Sequence, residues 1–134
     1  MKTKIIYKKR PKTLAQLKKE LTKVFNAFIR QRDSQDGFFV CICCDKPLPV
    51  AQMHAGHFIP STYSAVRFDP DNVHGQSSGC NLFKRGNLTE YRPRLVAKIG
   101  KDRVESLEAR RHDAFKQTRE WYESEISRYK SLIS

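Results

Sequence analysis

Cys41-Ile-Cys-Cys44 carries two thiols at C-x-x-C spacing, Cys41 and Cys44, with Cys43 beside them. On a tight turn after a strand, such a pair can take adjacent corners of a zinc tetrahedron. A second turn of the same spacing follows, Ser77-Ser-Gly-Cys80, with Ser77 where a fourth thiolate would close a structural site. A neutral hydroxyl lacks the soft negative charge of sulfur and is a poor zinc ligand. The residues leave three arrangements open: three thiolates plus water, a fourth ligand such as Cys43, or reduced cysteines without metal. A substitution introduced at position 77 would also account for the serine. Disulfides fit less well, because Cys41, Cys43 and Cys44 crowd together and close neighbours seldom meet the Cα separation a disulfide needs.

Between the two turns lie His54-Ala-Gly-His57-Phe-Ile-Pro60 and Arg67-Phe-Asp-Pro-Asp-Asn72-Val-His74; Cys80-Asn81-Leu-Phe-Lys84-Arg-Gly comes next. Hydrolysis of a phosphodiester needs a base for water, a cation for the developing charge, and rigid positioning. The candidate catalytic set is His57, Asn72 and Asn81. His57 is the candidate base, since an unperturbed imidazole titrates near pH 6.5. Asn81 can bind one Mg²⁺ or Mn²⁺ through its amide oxygen, with His54 as the tentative second ligand. Position 56, just before the base, is glycine and offers no ligand. Asn72 is expected to hold the loop and orient His57 rather than touch metal. His74 either lies along a strand or faces the same cleft, and the cleft is the expectation here. Any one of these residues alone would more often be core or surface. The ordered set His57, Asn72, Cys80, Asn81 and Lys84 is far more specific.

The 134 residues hold 26 Lys and Arg against 14 Asp and Glu, a formal charge of +12. That balance argues against an ordinary acidic metabolic enzyme and for a polyanionic partner. Lys84, Arg85, Arg92 and Arg94 follow the motif and are assigned to a DNA phosphate path, although solvated charge would explain any one of them. No residue pattern reads bases, so recognition of DNA shape is expected. The longest apolar run, Phe38 to Cys44, is too short to span a membrane, and the basic N-terminus lacks the hydrophobic segment of a secretory signal.

The positioning elements follow from spacing. Residues 1–12 form a basic arm, and 13–134 a single domain. Thr13 and Gln16 make a capping box for a helix over 13–32, with Leu17, Leu21, Val24, Phe25 and Phe28 in its apolar stripe. Residues 38–86 read as a ββα core: a strand over 38–42, Pro47 and Pro49 forbidding regular pairing, a short strand around 57–59, a polar loop over 61–71, extended chain over 72–76, and a helix beginning at Cys80. Residues 87–134 read as C-terminal helices. The first is kinked or delayed by Pro93. The last is capped by Asp102 with Glu105 and runs for about 30 residues, far above the usual 11–12. Its aromatic-rich stripe is core by default, and the excess length makes a homodimer interface the second reading. The fold class expected is α+β.

A Cys knuckle, a histidine at a strand end, an asparagine before a second knuckle and another just after it together resemble the HNH (ββα-metal) nuclease motif. The runs Ala55-Gly-His-Phe-Ile, Arg67-Phe-Asp-Pro-Asp-Asn-Val-His-Gly-Gln and Cys80-Asn-Leu-Phe-Lys-Arg-Gly-Asn-Leu-Thr-Glu-Tyr-Arg, with the leading helix, are similar to the lambdoid-phage NinG family, also called Rap. The likeness covers roughly residues 13–108. It implies a zinc-braced HNH unit in which Cys41, Cys44 and Cys80 hold Zn²⁺ with Ser77 in the fourth position. It also implies metal-dependent cleavage of branched DNA such as four-way (Holliday) junctions and D-loops, leaving 5′-phosphate and 3′-hydroxyl ends, in the cytoplasm of a bacterial host at the nucleoid. The sequence departs from the family at Ser77, where cysteine is expected, and at His54, where aspartate is common. Two rivals remain: a non-catalytic zinc module that binds DNA, and an HNH nickase specific for a duplex sequence.

Overall fold

The Thr13 hydroxyl accepts the Gln16 amide at 3.1 Å while the Gln16 side chain accepts the Thr13 amide at 2.8 Å. This capping box opens α1 (Leu14–Asp33) in the computed structural model, which describes residues 10–83 and 88–133. The basic arm at 1–9 and the positions of Lys84 and Arg85 lie outside the described residues. The chain then turns at Asp36 and Gly37, both with positive φ (53° and 83°), which matches the twist of a two-residue hairpin between β1 (Ser34–Gln35) and β2 (Phe38–Val40).

The strand after the Cys turn corrects the expectation drawn from its prolines. β3 (Pro47–Pro49) pairs with β2, with Val40 opposite Pro47 and Phe38 opposite Pro49. Backbone bonds flank these sites, from the Cys41 amide to Lys46 and from the Val50 amide to Gly37. In that register both prolines fall at non-hydrogen-bonded pairs, where a β3 amide would point away from β2. As β3 is an edge strand, the missing donors leave no gap in the ladder.

β4 (Met53–His57) pairs antiparallel with β5 (Val73–Ser77), and His57 closes the first strand instead of opening it. Their connection includes one helical turn, α2 (Ser64–Arg67). A wide turn over Gly79–Phe83 follows β5. α3 (Leu88–Ile99) begins ahead of Pro93 and contains it. Gly100, with φ 94°, separates α3 from α4 (Lys101–Arg110). Gly100 occupies the position before α4 and no side chain caps it, so Asp102 lies in the first turn and is not the cap. The single long final helix is also corrected. Residues 111–118 intervene, and Thr118 accepts the Trp121 amide to begin a new helix, α5 (Arg119–Leu132).

One core cluster joins Phe39, Met53, Ile59, Tyr91, Leu95 and Leu107; the other joins α1 to α5 through Leu21, Phe25, Ile29, Ile126 and Tyr129. The α5 stripe packs on α1 of its own chain, as core. The β4–β5 pair sits at the seam, giving Met53 to the first cluster and Val73 with Ala55 to the second. The architecture is α+β, with small antiparallel sheets between long helices. Among the described residues no helix is long and apolar enough to cross a membrane.

Candidate metal centre and catalytic loop

The two knuckles meet because the end of β2 lies against β5: the Ile42 amide donates to the Gly75 carbonyl at 3.0 Å, and the Ser77 amide to the Cys41 sulfur at 3.2 Å. This brings Cys41, Cys44 and Cys80 together, their sulfurs all within 4.8 Å of one another. A zinc tetrahedron with bonds of about 2.3 Å has sulfur–sulfur edges of about 3.8 Å. A small contraction completes three corners, so the trio can hold a metal ion such as zinc. The Ser77 hydroxyl accepts the Cys80 amide at 3.2 Å and shapes the second turn.

Cys43 stands apart from this trio. Its sulfur accepts from Gln76 Nε2 at 2.9 Å, and its thiol hydrogen-bonds the sulfur of Cys41. The bond from Cys43 is the main cause that draws Cys41 down to about 3, helped against its burial by backbone amides of Ser77, Cys44 and Cys43. The same bond, with burial, pushes the Cys43 thiol up. Cys41 is thus inclined toward the thiolate a metal ligand needs, whereas burial and the neighbouring Cys41 sulfur push the Cys44 thiol up.

His57 and Asn72 bracket the candidate catalytic loop. His57 Nε2 lies 2.9 Å from the carbonyl oxygen of Arg67, and because a carbonyl only accepts, Nε2 carries the proton. Nδ1 is left with its lone pair. Burial lowers the His57 pKa, the Arg67 carbonyl opposes that shift, and the Arg67 charge adds to it. Asn72 is fully buried. Its Oδ1 accepts the Ile59 amide at 2.8 Å, and its Nδ2 donates to the carbonyls of Ile59 and Val66 at 2.9 and 3.1 Å. Its own carbonyl accepts from Phe58 at 2.9 Å. Asn72 thus clamps both flanks of the 58–72 loop and is a positioning residue.

Strand alternation separates the two histidines of β4. His54 stands opposite Gln76 and Gly56 opposite His74, while Ala55 and His57 share the other face with Val73. His54, three residues before His57, projects from the opposite face. A Cβ at Gly56 would lie 2.0 Å from Gln76 Oε1 and 2.8 Å from its Cβ, so the Gln76 side chain fills the place of a side chain at 56. Asn81, half-buried, follows Cys80 directly in the Gly79–Phe83 turn. Arg92 is paired with Glu108 at 2.8 Å and Arg94 with Asp45 at 3.5 Å.

His74 does not line a cleft. It is 1% exposed, its Nδ1 accepts from Lys98 at 2.8 Å and Arg32 at 3.1 Å, and its Nε2 donates to the Asp71 carbonyl at 2.8 Å. Burial, then the charges of Lys98 and Arg32, lower its pKa to about 4. Asp33 completes this network, pairing with Arg32 and Lys98 and accepting the Gly75 amide at 2.7 Å. Burial would raise the Asp33 carboxyl, but Arg32, Lys98 and that amide hold it near 2. Asp33, Gln76 and the Arg67 carbonyl went unnoticed in the sequence. Asp33 alone left a trace there, as an acid at a helix C-terminus, where the dipole disfavours it unless cations are near.

A metal-competent Cys trio, laid beside a strand pair that ends in a histidine of fixed tautomer, defines a small α+β protein with a candidate metal centre. Residues 2–134 match the family described as Bacteriophage Lambda NinG protein, and the chain belongs to that family. It is similar to protein ninG of Escherichia phage 933W, 39% identical over 92 residues, which is 68% of this chain and 44% of that protein. Its likeness to protein ninG of Escherichia phage lambda is 38% over 92 residues, 68% of this chain and 43% of the relative. Protein ninG of Salmonella phage P22 is 39% identical over the same length and covers the same shares. The chain thus spans a little under half the length of these relatives. No solved structure matches it.

Proposed function

We propose that this chain is a structure-selective DNA endonuclease of the HNH type, cutting branched recombination intermediates such as four-way junctions and D-loops. The observation that carries the reading is the bond from His57 Nε2 to the Arg67 carbonyl. It leaves Nδ1 as a neutral acceptor on an imidazole whose pKa is already lowered, the state a general base needs at neutral pH. His57 takes a proton from water as the water oxygen attacks phosphorus; the bond to the 3′ oxygen breaks, leaving a 5′-phosphate and, once that oxygen is protonated, a 3′-hydroxyl. Asn72 holds the loop that orients the ring.

Asn81 would hold Mg²⁺ or Mn²⁺ through its amide oxygen, leaving room for substrate phosphate and water. A cation there would neutralise charge on the phosphoryl and leaving oxygens. His54 projects from the face opposite His57, so a shared ion with Asn81 would lie on the far side of the strand pair from the imidazole. Zn²⁺ on Cys41, Cys44 and Cys80, with Ser77 at the fourth corner, would brace the segment that leads into Asn81. Lys84, Arg85, Arg92 and Arg94 are proposed to meet phosphate, the last two by exchanging their carboxylate partners for it. Symmetric cutting of a junction calls for two copies, acting in the bacterial cytoplasm at the nucleoid.

The test is incubation of the protein with a labelled four-way junction and a linear duplex, with Mg²⁺ or with EDTA. Junction cleavage that requires metal and disappears in His57→Ala is the expected result. Binding without cleavage under any metal would instead identify a DNA-binding zinc module. Cutting at one duplex sequence alone would identify a sequence-specific nickase.

A further inference from the structure

We propose that the groove lined by Lys12, Lys18, Lys19, Lys23 and Arg67 is a docking surface for the sugar–phosphate backbone of one DNA arm, linked to His57 through the main chain of Arg67. Only the link to His57 rests on the nuclease reading; the docking itself does not. The groove runs along the outer side of α1 and has a volume of about 940 Å³. Lys19 and Lys23 stand four residues apart on one helical face, about 6 Å along the axis.

The charge of this groove is available to a ligand. Its one acid, Glu20, is bound by both Lys12 and Lys130. Among the described residues, no carboxylate pairs with Lys18, Lys19, Lys23 or Arg67. The Arg67 guanidinium rests over the Phe68 ring at 5.2 Å, held by a π face that uses none of its N–H donors. By contrast, Arg92 and Arg94 on α3 each already face a carboxylate. A concave row in which four of the five cations have no carboxylate partner among the described residues fits a polyanion.

Arg67 joins the groove to the loop. It lines the groove while its carbonyl accepts the hydrogen bond from His57 Nε2.

The test is fluorescence anisotropy of a labelled four-way junction titrated with full-length protein in EDTA at several salt concentrations. Each lost phosphate contact lowers the slope of log K against log salt by about 0.9. Lys19→Gln/Lys23→Gln should reduce it by about 1.8 with the thermal midpoint unchanged, since both side chains are exposed, and Arg67→Gln by about 0.9 with a small drop in midpoint from the lost contact on Phe68. Arg92→Gln/Arg94→Gln, which the proposed function also places on phosphate, is measured alongside, and a loss of slope in both sets supports the α1 surface. An unchanged slope in the α1 variants, or a loss confined to the α3 pair, overturns the proposal. Wild-type protein that binds with the expected slopes yet never cuts DNA would refute the nuclease reading and leave the docking surface standing. Cleavage with unaffected α1 slopes would do the reverse.

Discussion

His57 and Arg67, ten residues apart, are joined by a 2.9 Å bond from imidazole Nε2 to main-chain carbonyl, so a backbone atom decides which ring nitrogen can act as a base. The consequence for rate is direct. Under the proposed mechanism His57→Ala should lower junction cleavage by about 10²- to 10⁴-fold while leaving junction affinity in EDTA within twofold. Because the His57 pKa is lowered from 6.5, activity should climb on the acid side below that value and be level between pH 7 and 8. Single-turnover rates across pH check both; a rise still in progress at pH 8 would contradict a neutral imidazole.

Asn72 gives a prediction that separates positioning from chemistry. Asn72→Ala leaves the Ile59 amide and the carbonyls of Ile59 and Val66 without their buried partner, at a cost of about 2–4 kcal/mol. Asn72→Asp keeps the acceptor and loses both donated bonds, so it should also destabilise. Urea midpoints measure the loss. The positioning role further expects a fall in cleavage rate at temperatures where each variant is still folded, with KM little changed.

Much of this arrangement was legible before any coordinates. The capping box at Thr13, the β-rich run at 38–40 and the paired knuckle spacings are local signals, and each fixed an element or a turn in the expected place. What escaped depends on tertiary partners. Pro47 and Pro49 read as strand breakers because the sequence does not show that β3 lies at an edge with both prolines on the silent side of the ladder. The helix break at 111–118 was hidden by apolar residues at plausible spacing on both sides, and Thr118 was an N-cap signal passed over. His74 read as a cleft residue because Asp33, Arg32 and Lys98, which enclose it, are distant in the chain.

The Cys trio predicts how the metal should behave. Purified protein should contain one zinc per chain, held by three thiolates, and Ser77→Cys should retain it at least tenfold longer against a chelator by closing the fourth corner. Metal analysis and competition with a colorimetric chelator measure this. Equal retention in the two proteins would show that residue 77 does not face the ion.

Gly56 is required by its neighbour across the strand pair. Gly56→Ala drives a methyl into the buried Gln76 side chain, at 2.0 Å from Oε1 and 2.8 Å from Cβ, and should destabilise by about 1–3 kcal/mol. Gln76→Ala in the same chain should recover part of that loss, since it removes the obstructing amide. A double-mutant cycle on urea midpoints tests it, and additive losses would show that the two side chains do not compete for one space.

The His74 network should make stability fall in acid in two windows. His74 titrates near 4 when folded, against 6.5 ordinarily, because burial and the charges of Lys98 and Arg32 oppose a proton more strongly than Asp33 and the Asp71 carbonyl favour one. The unfolded chain therefore binds that proton first, and stability is lost as pH drops from about 7 to about 4, by an amount of order 3 kcal/mol. Asp33, held near 2 against 3.8, adds a second loss as pH falls from about 4 toward 2. In His74→Gln, which keeps an amide acceptor for Lys98 and has no proton to gain, the upper window should flatten while the lower one persists. Urea denaturation at half-unit pH steps resolves the two, and an unchanged slope between pH 6.5 and 4.5 in the variant would place the acid sensitivity elsewhere.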